Sequence, residues 1–239
     1  NAMYEGAVTG SFNIAVGSSA LRSLTTGPSN VAIGVNSLEA LTTGDRNIMV
    51  GMSSGAGYDA ENDNLGIGHS ALGGSVAGGE FNVAIGNYSL DALTSGDLNT
   101  AVGYAAGGAL TTGAAQIFIG ANAGAAVTTG GGNIAIGYNA LDNADTESNN
   151  LAIGEDALGG AVNGGEFNVA IGKSSLDALI SADSNTAVGY EAGSGVTTGG
   201  FNVFVGDISG KGTTEGTSNV AVGRNSLVTN TTGSRNVAL

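Results

Sequence analysis

The sequence predicts an all-β chain, a parallel β-roll or β-solenoid built from 17-residue coils, and three observations carry that expectation. A five-residue phrase, plainest at Asn82-Val83-Ala84-Ile85-Gly86, recurs with its asparagine at 13, 30, 47, 64, 82, 99, 133, 150, 168, 185, 202, 219 and 236, and Gln116 fills the remaining slot. Successive steps are 17 residues except for two of 18, from 64 to 82 and from 150 to 168. So strict a period is the signature of a solenoid whose repeats stack on their neighbours. Each phrase is also a short alternating segment closed by glycine, which reads as a strand.

The elements follow in order within each coil, numbered from the asparagine as position zero. Positions one to three form the strand, with Val or Ile at position three of every complete copy. Position four is always glycine, as at Gly34, Gly86 and Gly172, and marks a turn. Position seven is always Ala or Ser. The stretch from seven to eleven, Ser37-Leu38-Glu39-Ala40-Leu41 in one coil, is the return leg, and a second strand is expected there in preference to a helical turn. A second turn follows, most often Thr-Thr-Gly, as at 25–27, 42–44 and 128–130.

Residues 11–239 read as a single continuous repeat domain, with residues 1–10 as a lead-in whose Asn1-Ala2-Met3 looks like the remnant of a cleaved tag. Gly78–Gly86 and Gly164–Gly172 share the string GGEFNVAIG, and the offset of five coils makes 64–149 and 150–235 an internal duplication. The chain ends inside its phrase at Asn236-Val237-Ala238-Leu239, so a fragment of a longer protein is expected.

Composition narrows the function classes. Forty-four glycines with one proline would suit a disordered chain, but the rigid phase and the many aliphatic residues argue for buried structure. A net charge of -14 disfavours nucleic acid and anionic membrane as partners. No apolar run approaches a bilayer span, so no membrane contact is expected of these residues. There is no cysteine, hence no disulfide or thiolate chemistry.

The two faces of the strand are told apart by size. Position two is usually Ala with Leu at position eight, as in Ala32 with Leu38, Ala84 with Leu90 and Ala170 with Leu176. Where position two is bulky (Met49, Phe118, Phe204), position eight is glycine (Gly55, Gly124, Gly210). Such an exchange is what one packed interior demands, so these two positions should face each other inside the coil. Positions one and three then point outward: Val31, Ile33, Val83, Ile85, Ile134, Ile136, Val169, Ile171, Val220 and Val222. An apolar stripe of that length calls for a partner, and three parallel copies around a shared axis, a homotrimer, would bury it.

Repeats such as Asn30-Val31-Ala32-Ile33-Gly34 and Asn219-Val220-Ala221-Val222-Gly223 resemble the head repeats of YadA-like trimeric autotransporter adhesins. The same style of repeat, with Asn-Thr-Ala-Val-Gly-Tyr and Thr-Thr-Gly phrases, is similar to segments of phage tail fibres. The resemblance implies a left-handed parallel β-roll trimer with the Val/Ile positions at its axis. It also implies an extracellular place on a bacterial surface, as an outer-membrane appendage, or on a virion tail. The implied function is a structural and adhesive fibre segment that attaches to a host-surface protein or glycan, with host recognition by a tail fibre as the alternative. Adhesin heads use a shorter coil, so the additional residues must enlarge a turn or the return leg.

No enzyme and no cofactor are expected. The single histidine, His69, sits on a turn with no evident nucleophile beside it. The asparagine column reads as a ladder of stacked amides. Two acidic turns, Asp59, Glu61, Asp63 and Asp142, Asp145, Glu147, offer oxygens that could hold calcium, although neither an EF-hand nor an RTX spacing is present. Threonine pairs suggest an ice-matching array, which Asp59-Ala60, Val76-Ala77 and Val162-Asn163 interrupt. Tyr88, Tyr104, Tyr138 and Tyr190 are sparse candidates for stacking on a sugar.

Overall fold

The structure is a computed structural model that describes residues 9–74 and 78–239. The lead-in assigned to residues 1–10 and the Val76-Ala77 interruption lie largely outside the described residues. The chain divides into two compact units, Asn1–Gln116 and Ile117–Leu239. The first carries β1 (Ile14–Val16), β2 (Val31–Ile33), β3 (Ile48–Val50), β4 (Leu65–Ile67), β5 (Val83–Ile85) and β6 (Thr100–Val102). The second carries β7 (Ile117–Ile119), β8 (Ile134–Ile136), β9 (Leu151–Ile153), β10 (Val169–Ile171), β11 (Thr186–Val188), β12 (Val203–Val205), β13 (Val220–Val222) and β14 (Val237–Ala238).

Each unit is a parallel β-solenoid with one three-residue strand per full coil, and consecutive strands pair in order. Identical positions face each other, as in Ala32 opposite Met49 and Phe204 opposite Ala221. The 18-residue steps leave this register intact, since Leu65 still pairs with Val83 and Leu151 with Val169. The extra residue is therefore absorbed outside the strands.

The return leg differs from the expected second strand. Positions six and eight adopt left-handed backbone in every coil, for example Asn36 (φ 58) and Leu38 (φ 48). That conformation turns alternate amides in opposite directions along the stack. Asn36 N–H donates to Ser18 O at 2.9 Å in the preceding coil, whereas Leu38 N–H donates to Ser54 O at 3.0 Å in the following one. The chain thus reverses within a few residues while its peptide groups remain paired between coils, which a β-ladder of this length could not combine with so tight a curve. A left-handed leucine costs about 1–2 kcal/mol. Burying that leucine, worth about 1.5–3 kcal/mol, offsets the strain, and Leu38 and Leu90 are wholly buried.

Glycine at position four answers two demands. Gly34 has φ +140, and a Cβ there would stand 2.5 Å from the carbonyl carbon of Gly51 in the next coil. Backbone conformation and the close approach of stacked turns both exclude a side chain.

The asparagine column forms the polar spine of each unit. Asn47 N–H donates to Asn30 Oδ1 at 2.9 Å, and Asn47 Nδ2 donates to the Glu61 carbonyl at 2.6 Å. In the second unit Asn168 Nδ2 donates to Ala182 O at 2.8 Å, and Asn185 N–H to Asn168 Oδ1 at 3.0 Å. These side chains are wholly buried, and a buried amide without such partners would destabilise the coil.

Candidate functional site

The alternation along each strand separates a closed inner face from an open outer one. Ala32, Leu38, Ala84, Leu90, Phe118, Ala170, Leu176 and Phe204 have no exposed surface, and Gly124 and Gly210 are buried with them. The phenyl rings lie directly against these glycines: a Cβ on Gly124 would overlap Phe118, and one on Gly210 would overlap Phe204. Neighbouring coils share the arrangement, because a Cβ on Gly193 would stand 2.8 Å from both Leu176 Cδ2 and Phe204 Cδ2.

Positions one and three lie on the other face. Ile33 and Val222 are exposed, and Val31, Val83, Ile85, Ile134, Ile136, Val169, Ile171 and Val220 are half-buried, covered in part by the strands above and below. Each unit therefore presents an open apolar β-face. The sequence reading missed a second apolar series immediately before the asparagine: Phe12, Phe81, Leu98, Phe167 and Phe201 are all exposed and all in left-handed backbone. Their constant phase was the available signal. The left-handed backbone belongs to the position itself, since Ser29, Arg46, Asp63, Ala115 and Ser184 share it at the same phase.

The two acidic turns are organised around the chain itself. Glu61 Oε2 accepts the Asp59 and Ala60 N–H groups at 2.7 and 3.0 Å, and its Oε1 accepts the Gly78 N–H at 3.1 Å. Glu147 repeats this with Asp145, Thr146 and Gly164 at 2.7, 3.0 and 2.7 Å. Both glutamates are almost wholly buried. Each stands where most coils have glycine and precedes a coil of 18 residues, so its carboxylate satisfies amides around the added residue. Asp63 forms a double contact with Arg46 at 2.6 and 2.7 Å, which holds its carboxyl below the usual range and raises the guanidinium. Asp59 accepts the Thr42 hydroxyl at 2.5 Å, and Asp145 accepts that of Thr128. Desolvation raises Asp142 above the ordinary carboxyl value. Among the described residues no three acidic or imidazole side chains converge on a common point.

The tyrosine candidates separate. Tyr88 and Tyr104 meet edge to face at 5.9 Å, and His69 packs edge to face on Tyr88 at 5.1 Å, forming a short aromatic row on three successive coils. Tyr138 and Tyr190 are exposed and stand 52 residues apart in the sequence, and among the described residues neither joins such a row. The Tyr190 hydroxyl bonds to Glu191, which raises the phenol, and Glu191 also pairs with Lys211. Threonine hydroxyls turn back to the backbone, as in Thr25 Oγ1 to Thr42 O at 2.9 Å.

The fold defines a class, the parallel β-solenoid repeat proteins. Compared with family models, with curated proteins and with solved structures, the chain matches none of them.

Proposed function

We propose that this chain is a structural and adhesive fibre segment that works as a parallel homotrimer, its outer strand faces meeting at a common axis. The observation that carries the reading is the open Val/Ile face, repeated on strand after strand in both units. Completing the burial of two half-covered aliphatic side chains gains on the order of 1–2 kcal/mol per coil. Summed over the coils of all three chains, that gain exceeds the roughly 4–15 kcal/mol lost at each of the two association steps. The flanking Phe81, Leu98, Phe167 and Phe201 widen the contact. An acidic exterior keeps the assembled fibre soluble and fits exposure at a cell surface. The row of His69, Tyr88 and Tyr104 is the surface we assign to contact with a host glycan or protein, its modest affinity multiplied by three copies.

Sedimentation equilibrium tests the assembly: the wild type runs as three chains, and Ile85→Asp runs as one while keeping its circular dichroism. A wild type that sediments as a monomer sinks the proposal. Adhesion is tested separately by binding of the intact trimer to glycan arrays, which Tyr88→Ala with Tyr104→Ala should abolish.

A further inference from the structure

We infer that Asn163 is a site of self-promoted deamidation, with the buried carboxylate of Glu147 acting as the base. Asn163-Gly164 is the one Asn-Gly pair in the chain. Asn163 is exposed, and among the described residues its side-chain amide holds no hydrogen bond; its backbone is pinned by N–H donation to Ile180 O at 2.5 Å. Gly164 has φ +96 and open space on the side where a Cβ would stand, so no side chain at residue 164 crowds the neighbouring carboxamide. The Gly164 N–H is the third donor to Glu147, at 2.7 Å, and it points to Oε1 while Asp145 and Thr146 hold Oε2. The group that must lose a proton is thus already hydrogen-bonded to a nearly solvent-free carboxylate.

The reaction balances without any outside oxidant or reductant. Glu147 takes the Gly164 amide proton as that nitrogen attacks Cγ of Asn163, and an N–Cγ bond forms. The Cγ–Nδ2 bond then breaks, and ammonia leaves with the proton returned by Glu147. Water opens the resulting succinimide at either carbonyl, giving aspartate or isoaspartate. The product adds a negative charge to this coil, and the isoaspartate form adds a backbone atom to it.

The internal duplication supplies a control. Glu61 accepts the Gly78 N–H at 3.1 Å in the same way, but the residue before Gly78 is Ala77, which has no amide to lose.

The test is peptide mapping by mass spectrometry on the intact folded protein during incubation at neutral pH. Conversion should concentrate at Asn163 and vanish in Asn163→Gln. Glu147→Gln, compared at matched fold content by circular dichroism, should slow it by about tenfold or more. An Asn163 that converts no faster than the other asparagines, or a folded Glu147→Gln protein that converts as fast as the wild type, overturns the inference.

Discussion

The ring of Phe204 occupies the space that a side chain on Gly210 would need, six residues along the same coil. In other coils the volume is placed the other way round, with Ala170 opposite Leu176. Phe204→Ala alone should lose about 3–5 kcal/mol through the cavity it leaves. Gly210→Leu alone should lose stability by overlap with the ring. The double variant restores the alanine–leucine arrangement, so it should be more stable than the sum of the single losses by about 1–3 kcal/mol. Urea denaturation of the four proteins measures that coupling.

Asn168 should tolerate no loss of its donor. Its Nδ2 faces the Ala182 carbonyl at 2.8 Å, and its Oδ1 accepts from Asn185 at 3.0 Å. Asn168→Asp keeps the acceptor but sets a carboxylate oxygen against a carbonyl in a buried site, and about 3 kcal/mol or more should be lost at neutral pH. Protonation restores a donor, so the deficit should shrink in acid. Thermal melts at two pH values check this against Asn168→Ala.

Glu61→Ala should destabilise the first unit strongly, because it leaves three backbone N–H groups without their acceptor. Each orphaned donor is worth roughly 1–3 kcal/mol. Calcium or a chelator should leave the wild-type melting temperature unchanged, since Glu61 is engaged with amides and Asp63 with Arg46. A calcium-dependent melt would contradict that reading of the turn.

Tyr58 is wholly buried, and among the described residues its hydroxyl has no hydrogen-bond partner. Desolvation, and then the charge of Glu61, push its ionisation well above the ordinary tyrosine value. A proton held more tightly in the folded state gives stability that is intact below the unfolded pKa near ~10 and is lost as pH rises beyond it. Tyr58→Phe should therefore raise stability by about 1 kcal/mol at neutral pH and flatten the alkaline decline. Melting temperatures of both proteins from neutral to alkaline pH test this.

Much of the architecture is legible in the sequence because a solenoid repeats its environment: the period, the three-residue strand and the invariant glycine recur in phase. The return leg is less legible. Ser37-Leu38-Glu39-Ala40-Leu41 can be read as a strand or as a helical turn, and nothing local says that Leu38 adopts φ 48. The aromatic row escapes a phase-based reading, since Tyr88 sits one position later in its coil than His69 and Tyr104 do in theirs.

By itself the sequence determined the parallel coil and the big-for-small exchange around Phe204 and Gly210, because spacing and side-chain volume are written residue by residue. Only the tertiary structure decided that Glu61 and Glu147 serve backbone amides and that His69 meets Tyr88. The partners that no local reading supplies, Gly78 for Glu61, Gly164 for Glu147 and Tyr88 for His69, lie on a neighbouring coil, where they are chosen by stacking geometry rather than by distance along the chain.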